Sequence, residues 1–124
     1  MSEETMLNVL EDLLKEEDVL AIMLARKNEI SVSPPPDKFK LKNPSIFSLL
    51  QSTMNEFFIV IEKFSSQGLD KIYFELGEYE LMFFLIGGDT ALVSIIPALA
   101  NKGLLEVEME NARLKIRELI KKGV

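Results

Sequence analysis

Apolar and polar positions alternate along the chain in patterns that predict three helices and five strands. Apolar residues recur at helical spacing between Met6 and Leu14, so a first helix is expected from about residue 3 to 16. The continuous apolar run 19–25 is typical of a strand buried on both faces. The chain therefore opens with a helix followed by an interior strand.

A second strand is predicted at 30–33, where apolar residues alternate with serines. Three consecutive prolines end it, because proline donates no N–H group to a strand ladder. This strand is therefore expected at an edge of the sheet, and 34–43 is expected to be a loop. A long helix is then predicted from residue 44 or 45 to about Phe64.

The second half of the chain predicts three more strands and a last helix. The predicted strands are Lys71–Leu76, Tyr79–Ile86 and Thr90–Ile96. Between them lie Gly77-Glu78 and Gly87-Gly88-Asp89, which suit hairpin turns that need positive φ. Asn101 is predicted to cap the final helix.

The order α-β-β-α-β-β-β-α predicts an α/β (α+β) fold, with one domain over residues 1–124. We expect a five-stranded antiparallel sheet with helices on both faces. The fully apolar strands 19–25, 81–86 and 90–96 are expected in its middle, and the two alternating strands at its margins.

The middle helix is apolar around roughly half of its circumference when it is projected at about 100° per residue. A helix lying on one sheet needs an apolar stripe of about 100°, so the excess must be covered by something else. A second copy of the same helix is the simplest cover. The predicted dimer seam on this helix consists of Phe47, Met54 and Phe58.

The strand after this helix extends the predicted interface. If 71–76 is an edge strand, its free N–H and C=O groups invite another strand, and this adds Ile72 and Phe74 to the expected dimer contacts. The alternative is that loop 34–43, with Phe39 and Leu41, folds over the exposed flank of the helix within one subunit.

The amino-acid composition excludes several kinds of chemical site and makes some partners unfavourable. The chain has no Cys and no His, so disulfides, thiolate nucleophiles and the commonest zinc ligand are missing. Its net charge of −6 makes nucleic acid a poor partner. No apolar stretch approaches the ~18 residues that could span a bilayer. The N-terminus is acidic where a secretion signal is basic, so a cytoplasmic protein is expected.

Glu75, Glu78 and Glu80 surround one predicted turn, with Asp89 in the next. Close carboxylates can divide acid and base roles or hold a hard cation. Turns attract acidic residues in any case, and a solvated hairpin is the simpler interpretation. Gly87-Gly88-Asp89 joins two strands rather than opening a helix, so it is not a phosphate loop. No enzyme activity, cofactor or metal is expected.

The second half of the chain resembles roadblock/LC7 domains. The resemblance is carried by Gly68-Leu69, an acidic turn, an apolar strand, the Gly88-Asp89 hairpin, and the Asn101-x-Gly-Leu-Leu start of an amphipathic helix. The segment LEDLLKEEDVLAIMLARKNEISVS is similar to that family's opening helix and hairpin. The resemblance covers nearly the whole chain, with loop 34–43 its weakest part.

This resemblance implies a profilin-like sandwich that forms a homodimer with a shared sheet and paired middle helices. It implies a protein partner, such as a Ras-like small GTPase in prokaryotes or a scaffold complex in eukaryotes. The family members that accelerate GTP hydrolysis do so by positioning the GTPase's own residues.

The polar side of the middle helix is the predicted partner surface in that case. Its candidate contact residues are Ser48, Gln51, Ser52, Asn55 and Glu56. An alternative function is a small-ligand sensor of similar architecture, whose pocket would be lined by the abundant Met and Phe residues; more often such residues are core.

Overall fold

Four strands and three α-helices make up the computed structural model, which describes residues 2–123. The ends of the predicted domain, Met1 and Val124, lie outside the described residues. The elements are α1 (Ser2–Leu14), β1 (Ala21–Arg26), a 3₁₀ helix (Pro36–Lys38), α2 (Ser45–Ser65), β2 (Lys71–Leu76), β3 (Tyr79–Ile86), β4 (Thr90–Pro97) and α3 (Lys102–Lys121). The helices and the last three strands lie where the apolar pattern predicts them.

The strands form one antiparallel sheet in the order β1-β4-β3-β2. Tight turns join β2 to β3 and β3 to β4. The φ angles of Gly77 and Gly87 in these turns are +63° and +68°, a conformation in which a residue with a side chain would be strained. Every residue of β3 is buried, as is every residue of β4 except Pro97. These two strands are the middle of the sheet, as predicted.

The prediction of a fifth strand at 30–33 is wrong. This segment makes a single bridge, in which the backbone groups of Leu24 and Val32 exchange hydrogen bonds of 2.8 and 3.0 Å. The three prolines that follow cannot donate to a ladder. Before the bridge, the Arg26 guanidinium donates to the Ile30 carbonyl, so that oxygen is occupied by a side chain.

Losing the fifth strand moves β1 from its predicted central place to an edge of the sheet. It is nevertheless buried from Ala21 to Ala25. The bridge to Val32 covers part of its outer edge, and the N–H of Lys40 donates to the Leu20 carbonyl at 2.8 Å. Val32 and the loop 34–43 therefore protect part of this edge in place of the missing strand.

Side-chain alternation in the strands creates two cores, one on each face of the sheet. On one face α1 and α3 pack against residues such as Ile22, Met82, Phe84 and Leu92. On the other face α2 packs alone, and its buried residues are Phe47, Leu50, Met54, Phe58 and Ile61.

α3 begins as predicted, because the Asn101 side chain accepts a hydrogen bond of 3.1 Å from the N–H of Gly103. Its inner face contains a charged residue that periodicity did not single out, the buried Arg113. Its guanidinium donates to both carboxylate oxygens of Asp70, at 2.8 and 3.2 Å, and to the Leu85 carbonyl at 3.2 Å. It also pairs with Glu110 at 2.5 Å.

Burial by itself lowers the pKa of Arg113, but the hydrogen bonds that its guanidinium donates to Asp70 and Glu110 outweigh this effect and raise the pKa. The guanidinium also lies 5.2 Å from the centre of the Phe84 ring. Arg113 therefore connects α3 to the start of β2 through a fully satisfied set of donors.

Phe58 tests how α2 is attached to the sheet. Its side chain is completely buried, so Phe58→Ala should lower the free energy of unfolding by about 3–5 kcal/mol. Chemical denaturation monitored by circular dichroism measures this change. Ser48→Ala, on the exposed side of the same helix, should change stability by less than about 0.5 kcal/mol; equal losses for both would contradict the packing described here.

Arg113→Lys tests the connection between α3 and β2. Lysine keeps the charge but cannot donate to Asp70, Glu110 and the Leu85 carbonyl together, so we expect a loss of about 2–3 kcal/mol. The same denaturation assay measures it. Arg117→Lys on the same helix serves as the control, and an Arg113→Lys protein as stable as that control would show that the guanidinium geometry is unimportant.

Candidate functional site

One flank of α2 exposes large apolar side chains to solvent. Leu49 is 57% exposed, Val60 47% and Phe64 53%. Helical spacing places all three on the same side of the helix, between its buried face and its outer face. α2 therefore has more apolar surface than its own sheet covers.

This flank opens onto a groove of about 400 Å³ between α2 and the edge of the sheet. The groove is lined by Ile46, Leu49, Leu50, Thr53, Glu56, Phe57, Val60, Phe74, Leu76 and Leu81. Phe57 stacks on Phe74 with ring centres 5.8 Å apart and packs against Phe83 at 4.9 Å. These rings attach the helix to β2 and β3 below the groove.

β2 forms the sheet edge beside the groove, and no other strand within residues 2–123 pairs with its outer side. The N–H of Leu85 donates to the Asp70 carbonyl, so hydrogen-bonded pairs with β3 continue at every second residue from there. The backbone groups of Lys71, Tyr73 and Glu75 therefore point outward. An apolar flank and an open strand edge lie side by side.

The predicted seam residues on α2 face the sheet of their own subunit. Phe47, Met54 and Phe58 are buried within the subunit. Phe39 of loop 34–43 also packs edge-on against Phe47, with ring centres 4.8 Å apart. The loop thus covers the Phe47 side, as the alternative prediction held, but it does not cover the flank with Leu49.

The strand residues predicted for the interface lie close to the exposed flank. Ile72 and Phe74 are half-buried on the α2 face of β2, and Phe74 lines the groove. A contact made there would include both the helix flank and the strand.

The five predicted partner residues are all exposed on the outer part of α2: Ser48, Gln51, Ser52, Asn55 and Glu56. On the same outer face, one helical turn after Asn55 and Glu56, lies Ile59, an apolar residue that is 53% exposed. The Ser52 hydroxyl donates back to the Leu49 carbonyl. The predicted partner residues therefore offer amide, hydroxyl and carboxylate groups, with one exposed apolar residue at the end of their face.

The acidic turn between β2 and β3 has a structural use on the α3 side of the sheet. Glu80 is buried, and its carboxylate accepts from the Lys102 ammonium at 2.8 Å. This contact raises the pKa of Lys102. Among the described residues, no three acidic side chains lie close enough together to hold a metal ion.

Tyr73, on the same side of β2, donates its hydroxyl proton to Glu106 at 2.6 Å. Burial and then this hydrogen bond raise the pKa of Tyr73, so the hydroxyl stays protonated at neutral pH. Together with Arg113, these contacts hold β2 against α3 by polar groups. None of these contacts involves the outward N–H and C=O groups of Lys71, Tyr73 and Glu75, so they leave the outer backbone edge of β2 open.

The Met and Phe residues that a sensor pocket would need are mostly packed in the two cores. Met23, Met82, Phe83 and Phe84 are fully buried in the sheet. The apolar groove beside α2 is instead lined mainly by Leu, Ile and Val with two Phe residues.

A search of the described residues for membrane-spanning helices finds none of sufficient length and apolar character.

No protein-family model matches the chain, and no curated protein matches it either. Solved structures do match it. Myxococcus xanthus MglB is 16% identical with a TM-score of 0.75, and the match covers 98% of this chain and 92% of that one. MglC from Myxococcus xanthus is 18% identical with a TM-score of 0.67, covering 95% and 98%.

A roadblock/LC7 domain from Streptomyces avermitilis is 14% identical with a TM-score of 0.64, covering 91% of this chain and 95% of that one. Another similar structure is described as MglB with a tetrameric arrangement; it is 14% identical with a TM-score of 0.68, covering 99% and 93%. At these identities the similarity establishes the fold alone. The chain has the roadblock/LC7 fold.

Proposed function

We propose that the protein is a non-enzymatic, homodimeric interaction module that binds and regulates a Ras-like small GTPase or scaffolds a protein complex. The observation that supports the dimer is the position of the exposed flank of α2 directly beside the open edge of β2. A second copy that meets this side would cover both features at once.

The dimer explains why this apolar surface is exposed in the single chain. Leu49, Val60 and Phe64 lie next to a groove that already contains Phe74 and Leu76. A contiguous apolar surface of this kind marks an interface more often than it marks free surface. Pairing of the β2 edges would also satisfy backbone groups that otherwise invite unspecific association.

The outer face of α2 then becomes the partner surface. Two α2 helices brought together at their flanks would present their polar sides, from Ser48 to Glu56, as one platform. Ile59 lies next to Asn55 and Glu56 at one end of this polar surface, where it has the arrangement of an interface anchor, an apolar side chain bordered by polar contacts. We also propose that the protein works in the cytoplasm, together with its GTPase partner.

Such a platform contributes to GTP hydrolysis by geometry. The Gln51, Asn55 and Glu56 side chains can hydrogen-bond to the backbone and side chains of a mobile GTPase segment. Holding that segment in its catalytic position lowers the barrier without a nucleophile or a metal from this protein.

Leu49→Glu tests the dimer, with Ile59→Glu as its matched control on the same helix. Both side chains are more than half exposed, so neither change should unfold the subunit. Size-exclusion chromatography with light scattering should show a dimer for the wild type and for Ile59→Glu, and a 14.1 kDa particle for Leu49→Glu.

Three results would count against this seam. They are a monomeric wild type at high concentration, a dimeric Leu49→Glu protein, and loss of the dimer in both variants. If the wild type is monomeric and an apolar compound raises its melting temperature, the groove beside α2 serves as the pocket of a small-ligand sensor instead.

Nucleotide-dependent capture tests the partner class. Immobilised wild-type protein should retain a purified small GTPase of the same organism in one nucleotide state more than in the other. Ile59→Glu should reduce the capture by about tenfold or more while the protein stays dimeric, because it replaces the apolar anchor of the platform by a charge. Capture that is independent of nucleotide, or unchanged in Ile59→Glu, would contradict the proposal.

A further inference from the structure

We infer that two copies of this chain join their β2 strands in one specific antiparallel register, in which Tyr73 of one copy lies opposite Tyr73 of the other. This inference rests on the proposed dimer and adds its residue-level geometry. Two properties of β2 select this register, the direction of its free backbone groups and its charges, and its apolar side chains are compatible with it.

The backbone groups restrict the possibilities first. Only Lys71, Tyr73 and Glu75 direct their N–H and C=O groups outward, so a hydrogen-bonded pair across the new edge must join two of these residues. Centring the pairing on Tyr73 uses all three positions in both copies. A shift of the centre by one residue in either direction removes one of the three hydrogen-bonded pairs, because Gly77 already belongs to the turn and Leu69 precedes the strand.

The charges select the same arrangement. With Tyr73 at the centre, Lys71 of each copy faces Glu75 of the other, which makes two opposite-charge pairs on the α3 side of the sheet. In the register shifted toward Leu76, Lys71 faces the turn glycine and Glu75 faces Tyr73. In the register shifted toward Asp70, Lys71 faces Tyr73 and Glu75 faces Leu69.

The apolar side chains agree with this choice. On the α2 side of β2, the centred register places Ile72 of each copy opposite Phe74 of the other. The register shifted toward Asp70 instead places Phe74 opposite the exposed Asp70. The register shifted toward Leu76 also pairs apolar residues, because Phe74 then faces Phe74 and Ile72 faces Leu76, but it loses both opposite-charge pairs. Of the three registers, the centred one therefore combines apolar pairs on one face with opposite-charge pairs on the other.

Tyr73 is suited to the central position. Its hydroxyl is tied to Glu106 of its own α3, so the ring is held beside the open edge, and its ring stacks near Phe84 with centres 6.2 Å apart. Two such rings would meet across the symmetry axis with little loss of side-chain freedom. The Lys71 ammonium is likewise held over Phe84, at 4.8 Å from the ring centre.

Single cysteines test the register, because the chain has no cysteine of its own. Opposite residues of a hydrogen-bonded antiparallel pair have Cα atoms about 5.5 Å apart, within reach of a disulfide. Tyr73→Cys should therefore form a covalent dimer under mild oxidation. Lys71→Cys alone and Glu75→Cys alone should not, since equal positions would be about 13 Å apart, but a mixture of those two proteins should.

Charge exchange gives a second readout. Lys71→Glu and Glu75→Lys should each raise the dimer dissociation constant by about tenfold, because each creates two like-charge pairs. The double variant Lys71→Glu/Glu75→Lys restores both pairs in reversed sense and should return to within about threefold of the wild type.

Light scattering under reducing conditions separates this inference from the proposed function. A dimer in which Tyr73→Cys fails to cross-link, or in which Lys71→Cys or Glu75→Cys cross-links by itself, overturns the register and leaves the proposed dimer intact. A dimer whose double variant stays as weak as the single variants also overturns it. A monomeric wild type removes the proposed dimer itself, and the register with it.

Discussion

The apolar face of α2 is wider than the sheet surface beneath it, and the rest of the molecule is arranged around this mismatch. The half of the face that contains Phe47 and Phe58 is covered by the sheet and by loop 34–43. The half that contains Leu49 and Val60 lies beside β2, the last strand of the sheet. Because the sheet ends there, the subunit has nothing with which to cover it.

The two edge strands of the sheet differ in how much of their outer backbone is covered. At β1, the bridge to Val32 and the hydrogen bond from Lys40 occupy part of the outer edge. At β2, the outer edge has no strand partner in residues 2–123, and contacts from α3 approach only through side chains. An edge that is held firmly in place but not covered is well prepared for association, because little freedom is lost when a second strand binds.

Polar contacts give β2 this firmness. Its side chains on the α3 face pair with that helix, Tyr73 with Glu106 and Lys71 with Glu110, while Arg113 joins the helix to Asp70 just before the strand. These contacts are more directional than apolar packing, so they fix the orientation of the strand as well as its position. The apolar side chains on its other face are thereby left to the groove beside α2.

The sequence alone was enough for the three helices and the strands β2 to β4, because periodicity and turn residues are local properties. It also showed that α2 has an apolar surplus. It could not show which side of α2 is exposed, since periodicity measures the width of an apolar arc but not the position of the sheet under it. The seam residues predicted from periodicity, Phe47, Met54 and Phe58, are therefore core residues in the single chain.

Other features were decided only by tertiary structure. Residues 30–33 do not form a strand because Arg26 binds the Ile30 carbonyl and the following prolines donate no N–H groups. The burial of Arg113 depends on Asp70, which is 43 residues away along the chain. A local sequence pattern gives no information about a contact with a carboxylate that is so far away along the chain. What the sequence determined by itself is therefore the three helices, most of the strands and their apolar faces. What the assembled sheet decided is where the sheet ends and which parts of those faces reach the surface.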